Sequence, residues 1–121
     1  MGKIPHHSKK RIVDLINEIE KDGRKISYST KILNLISGSG DSTGSPFNHW
    51  RWKSQALPDI IIWPNSVSQI RWVVHLAQKY EIHITPRGGA TSYYGSSTPA
   101  KGGILLDLKK MTDFSINLKD R

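Results

Sequence analysis

The chain has 121 residues, a mean hydropathy of -0.46 and a formal net charge of +8. It contains no cysteine, which excludes a disulfide framework and thiolate metal sites and fits a reducing compartment such as the cytoplasm. The length suits one domain at most. No run approaches the ~20 apolar residues of a membrane span, while the basic balance leaves nucleic acid, an anionic membrane surface or an acidic protein open as partners.

Residues 1–25 read as a basic tail and an N-terminal helix. His6 and His7 lack a third ligand or helical spacing, so no metal site is expected there. The start carries no apolar run after its charges and reads as no signal peptide. Met1-Gly2 resembles a myristoylation start, but His6 stands where the pattern needs Ser or Thr. From Ser8, a candidate N-cap, to about Asp22, the periodicity predicts an amphipathic helix with Ile12, Val13, Ile16 and Ile19 on its apolar face and Gly23 as its stop.

Residues 26–57 read as a loop-rich connecting segment. Ile32, Leu33, Leu35 and Ile36 form an apolar patch that suits either a helix or a strand. The Ser37–Pro46 stretch holds Gly38, Gly40 and Gly44 but has neither the Lys-Ser/Thr ending of a P-loop nor dinucleotide-fingerprint spacing, and reads as a surface loop. His49, Trp50, Arg51, Trp52 and Lys53 mix aromatic and basic groups, which can stack on bases or anchor a loop on a core.

The pattern sharpens from Pro58 onward. Ile60 to Trp63, bounded by prolines, predicts a buried strand. Asn65 and Ser66 can cap a helix from Val67 to Tyr80, with Val67, Ile70, Val73, Val74 and Ala77 on its apolar face. Ile82 and Ile84 then predict a strand that stops at Pro86. A strand, a crossover helix and a second strand imply parallel strands. Ile104 to Leu108 predicts one more strand, with Lys109 to Thr112 as a turn. The resulting class is α+β, with an α/β-like strand–helix–strand unit, a small sheet and an N-terminal helix. Its exposed sheet edge is expected to need a partner.

Between the last two strands lies Pro86-Arg87-Gly88-Gly89-Ala90-Thr91-Ser92, followed by Tyr93, Tyr94 and Gly95. Adjacent glycines permit positive φ and close approach of the backbone to a ligand. Successive N–H groups in such a turn form an anion nest, and Arg87, Thr91 and Ser92 add donors. The loop reads either as a diphosphate cradle or as an ordinary tight turn. Its position at the carboxyl end of a strand is where open α/β sheets bind ligands.

The blocks P-D-I-I-I-W-P-N-S, I-T-P-R-G-G-A-T-S-x-x-G and G-G-I-L-L-D-L-K-K-M occur here in order. Together, over roughly Pro58 to Phe114, they resemble the first part of the vanillyl-alcohol-oxidase (PCMH-type) FAD-binding domain of the FAD-linked oxidase family. Ser39-Gly40, Trp50-Arg51 and Leu57-Pro58-Asp59 further resemble the alkyldihydroxyacetonephosphate synthase branch, beside the D-lactate dehydrogenase branch. The resemblance implies that residues 58–121 are the N-terminal part of an FAD-binding domain. Arg87, Gly88, Gly89, Ala90, Thr91 and Ser92 would contact the FAD diphosphate, with Pro86 and Gly95 shaping the loop ends. Ala90 stands where the family usually has a third glycine.

The resemblance places the catalytic and substrate residues outside these 121 positions, so no catalytic residue is assigned, and His75 and His83 are expected to be structural or surface groups. The function implied is to hold FAD for a flavin-dependent oxidoreductase. The chain alone is expected to be inactive. A second chain or a missing C-terminal region would complete the FAD and substrate domains. The alternative is a non-catalytic basic module for nucleic acid or an acidic protein.

Overall fold

The computed structural model describes residues 9–23, 25–37, 57–89 and 101–119. Among the described residues three helices, α1 (Lys9–Lys21), α2 (Ile32–Ser37) and α3 (Val67–Lys79), accompany four strands, β1 (Ser27–Ser29), β2 (Ile60–Trp63), β3 (Ile84–Arg87) and β4 (Ile104–Asp107). The strands form one sheet in the order β1-β2-β4-β3. β4 runs parallel to both neighbours, and β1 is antiparallel to β2. β2 and β3 are thus parallel, as their helical crossover requires, but β4 is inserted between them.

Alternation along the strands separates two faces. Ile60, Ile62, Ile104 and Leu106 share one buried cluster with α1 and α3. Ile61 and Leu105 fall on the opposite face and are equally buried. α1 contributes Ile12, Leu15 and Ile19 to the core, with Ile16 half-buried. Val13, expected inward, is exposed, and Leu15 takes the place beside Ile12 and Ile19 that the helical period assigns. In α3 the buried residues are Gln69, Val73, Leu76 and Ala77, while Val67 and Val74 face outward. The β-branched residues drew the expected stripe one step around the helix. The ambiguous apolar patch after Lys31 forms α2.

Both ends of α3 are closed by specific hydrogen bonds. Ser66 Oγ accepts from Gln69 N at 3.2 Å, which satisfies one orphan donor of the first turn, and Gln69 Oε1 reaches back to accept from Asn65 N, the amide before the cap, at 2.8 Å. At the other end Ile82 N donates to Ala77 O at 2.8 Å and Glu81 N donates to Gln78 O at 3.3 Å. This is the Schellman pattern, with Glu81 at φ 53 in the left-handed position that glycine usually takes. It turns the chain into β3 and buries Ile82 before the strand begins.

β3 starts at Ile84 and runs through Pro86 to Arg87, one residue past the expected stop at Pro86. The reason is that β3 is an edge strand. His83 O accepts from Ile104 N at 2.8 Å and Arg87 O accepts from Leu108 N at 2.9 Å. Residues 83, 85 and 87 therefore face β4, and the missing N–H of Pro86 faces the open edge, where it removes no ladder bond.

The amino ends of β2 and β4 are locked together. Asp59 Oδ2 accepts from Gly103 N at 2.7 Å, and Gly103 O accepts from Asp59 N at 2.8 Å. Gly102 and Gly103 hold φ of +69° and +75°. A Cβ on Gly102 would lie 3.1 Å from Asp59 Oδ2. Here, at the entry to β4, the left-handed glycine pair is required. Gly88, expected to supply positive φ, does not use that region and has open space around its α-carbon. Gly102→Ala is therefore expected to destabilise the fold by about 1–2 kcal/mol, while Gly88→Ala changes stability by less than about 0.5 kcal/mol, both read by urea denaturation.

Glu18 of α1 meets Lys79 and Tyr80 at the end of α3. The Lys79 hydrogen bond, then that of Tyr80, holds the Glu18 carboxyl below its ordinary 4.5. The same bonds push Lys79 above 10.5 and Tyr80 above 10.0. A lowered carboxyl contributes above its unfolded value and loses its effect as pH falls through the folded one. Raised Tyr and Lys groups contribute below their unfolded values and lose their effect as pH rises. The stability difference between the native chain and Glu18→Gln is accordingly expected to be flat between about pH 5 and 9 and to shrink on both sides, as thermal melts across pH would record.

Candidate flavin-diphosphate site at the carboxyl ends of the strands

Each strand brings one residue to a single row at this end of the sheet. Ser27 lies opposite Trp63, and Arg87 lies opposite Asp107. Trp63 Nε1 donates to Asp107 Oδ2 at 3.3 Å, joining the two pairs. The strand alternation puts all four on the face away from α1 and α3.

Asp107 Oδ1 accepts from Lys109 N at 3.1 Å, which turns the chain sharply as it leaves β4. The ammonium groups of Lys109 and Lys110 lie 5.3 and 5.5 Å from the Trp63 ring centroid, within cation–π range. Lys110 Nζ also donates to Ser27 Oγ at 3.0 Å. Trp63 therefore gathers two cations at the carboxyl ends of β2 and β4, a feature that sequence reading did not single out. Its only trace there is the Trp63 that ends one apolar run and the Lys-Lys pair that follows another.

Arg87 is the last residue of β3 and is only 7% exposed. A guanidinium this buried needs hydrogen-bonding or charged company, since burial disfavours an isolated charge. The chain turns outward immediately after it, and Gly88 and Gly89 are exposed. Pro86 is also exposed, within the edge strand. Of the remaining loop residues, Ala90, Thr91, Ser92 and Gly95 lie outside the described residues. So does the His49–Lys53 cluster. The site residues that can be placed are thus Pro86, Arg87, Gly88 and Gly89.

This donor set fits a diphosphate. A planar cationic fork stands at the strand end beside exposed glycine backbone, and two lysines lie two strands away on the same edge. The open space over Gly88 lets a ligand approach the main chain without a side chain intervening. Among the described residues no group of three His, Asp or Glu side chains is placed to hold a metal ion. His75 and His83 are both exposed. No helix among the described residues is long and apolar enough to cross a membrane.

Residues 58–121 match the model of the FAD binding domain family. Over 102 residues the chain is 26% identical to the mitochondrial D-lactate dehydrogenase (cytochrome) of Arabidopsis thaliana, covering 84% of this chain and 16% of that protein. It is 32% identical over 80 residues to the alkyldihydroxyacetonephosphate synthase of Caenorhabditis elegans, covering 65% of this chain and 13% of that one. Among solved structures, an alkyldihydroxyacetonephosphate synthase superposes with a TM-score of 0.74 at 19% identity, covering 99% of this chain and 23% of that chain. The BBE-like 1 protein of Physcomitrella patens follows at 0.64 and 20%. The chain thus spans less than a quarter of the length of these relatives. The matched region begins at Pro58, one residue before the Asp59 clasp, and contains β2, α3, β3, the glycine loop and β4: the chain belongs to the FAD binding domain family of FAD-linked oxidoreductases, whose cofactor is FAD.

Proposed function

We propose that this chain supplies one wall of an FAD site and holds the cofactor's diphosphate at the end of β3. The observation that carries the reading is the position of Arg87-Gly88-Gly89. They leave the carboxyl end of a parallel edge strand, level with Asp107 of its neighbour, inside the segment that matches the family. In this role Gly88 and Gly89 present main-chain N–H groups, and Arg87 adds a charge-assisted bond. Ala90, Thr91 and Ser92 continue the cradle, with Pro86 and Gly95 fixing its ends.

The bound flavin would supply the redox chemistry. The residues of this chain position the cofactor and neutralise its phosphates, and none is assigned to proton transfer. The whole protein would be a flavin-dependent enzyme resembling either D-lactate dehydrogenase, acting on a 2-hydroxy acid, or alkyldihydroxyacetonephosphate synthase. The residues that hold the far side of FAD and act on the substrate would come from a polypeptide region beyond this one, without which the chain is inactive.

The test is retention of FAD. The chain co-purified with the rest of an FAD domain is expected to keep a visible flavin band through gel filtration. Arg87→Ala is expected to weaken FAD binding by at least about tenfold, the loss of one charge-assisted hydrogen bond. A colourless complex that takes up no added FAD, or tight salt-sensitive binding of an oligonucleotide in its place, would overturn the reading.

A further inference from the structure

Asp107 puts a carboxylate next to the loop proposed to hold a diphosphate, where like-charge repulsion works against binding. It ends β4 level with Arg87, the last residue of β3. Neighbouring strands lie about 4.8 Å apart, and register partners share a face, so the two side chains rise from the sheet side by side. A carboxylate in this place needs a role that outweighs the repulsion.

The Asp107 carboxylate is held from two directions. Oδ1 accepts from Lys109 N at 3.1 Å, and Oδ2 accepts from Trp63 Nε1 at 3.3 Å. One donor belongs to the turn after β4 and the other to the end of β2, so neither depends on β3. A carboxylate offers about four lone-pair sites, which leaves acceptor capacity for a guanidinium. Trp63 is itself braced. The ammonium groups of Lys109 and Lys110 lie 5.3 and 5.5 Å from its ring centroid, and Lys110 Nζ donates to Ser27 Oγ at 3.0 Å. The line Ser27, Lys110, Trp63, Asp107 thus runs from β1 across β2 to β4 and ends beside Arg87 on β3. Arg87 is 7% exposed, and a guanidinium so buried is stable only with charged or hydrogen-bonding company. Its donors form a rigid planar fork, so its value at a phosphate depends on where the plane points as well as on its charge.

We infer that Asp107 is a positioning residue that aims the Arg87 fork toward the loop at Gly88 and Gly89. The inference rests on the diphosphate reading of that loop. Asp107 acts through Arg87, and Trp63 acts through Asp107. The two lysines and Ser27 keep the Trp63 ring in place. Outer groups that orient a ligand-binding side chain in this way are a general device of preorganised sites.

Two substitutions separate aim from charge. Asp107→Asn keeps the shape and removes the negative charge. Trp63→Phe removes the indole N–H, keeps a ring for the lysines and leaves the charge unchanged. The Arg87 Nε–H signal of the ligand-free chain is followed by NMR, and ADP affinity is measured by calorimetry with adenosine as the control. In both variants the Nε–H signal is expected to move and to exchange at least about tenfold faster, while the core amides of Ile60 and Ile104 stay in place. ADP binding is expected to weaken at least about tenfold in Asp107→Asn and about threefold in Trp63→Phe. A bare charge effect gives tighter ADP binding in Asp107→Asn and no change in Trp63→Phe, and either result overturns the proposal. So does an Nε–H signal that is unchanged in both variants, or one that moves only together with the core amides. The Nε–H signal needs no ligand. If it responds as expected in a chain that binds no ADP, the pairing of Asp107 with Arg87 stands and the diphosphate reading falls.

Discussion

The Asp59 carboxylate and carbonyl–amide exchange with Gly103 hold the amino ends of β2 and β4 in register, and the remaining geometry follows from that lock. β4 comes last among the strands in sequence yet sits second from the edge, between β2 and β3. Its two ladders are both long-range, and closing such pairings has a large loop-entropy cost. A half-buried acceptor bonded to a main-chain N–H, with glycine φ values that other residues adopt only under strain, selects one register out of several. Once that register is set, Arg87 stands opposite Asp107, Trp63 reaches the Asp107 carboxylate, and the glycine loop leaves beside them.

Much of this was legible in the chain. The Ile60–Trp63 run, its prolines and the Ser66 cap mark β2 and the start of α3 with the boundaries found. The order of blocks from Pro58 onward identified the family. Other features were not legible, for physical reasons. β1 has only three residues, Ser27, Tyr28 and Ser29, too few to display an alternation. The exit of α3 uses Glu81 where a glycine would have signalled it, because the two Schellman hydrogen bonds and the burial of Ile82 offset the strain. The end of β3 was misplaced because a proline stops a central strand but is tolerated at an open edge. Only sheet order distinguishes the two cases, and sheet order depends on β4.

The site shows the same division. Local sequence left the loop balanced between a tight turn and an anion cradle, and assigned positive φ to its glycines. In the fold that backbone requirement belongs to Gly102 and Gly103 at the opposite end of β4, while Gly88 keeps open space and an ordinary φ. The burial of Arg87 and the stacking of two lysines on Trp63 come from strands distant in sequence, so no window of neighbouring residues displays them. Together they give the carboxyl edge of the sheet a concentration of positive charge, which suits a phosphate-bearing cofactor better than the chain's overall charge of +8 alone would suggest.

Amide NMR of the chain titrated with ADP against adenosine tests most directly whether a diphosphate binds at Arg87-Gly88-Gly89. ADP carries the diphosphate and adenosine does not. The amide signals of Arg87, Gly88 and Gly89 are expected to shift with ADP and stay in place with adenosine. Shifts confined to Lys109 and Lys110, or an equal response to ADP and adenosine, would contradict a diphosphate site at this loop.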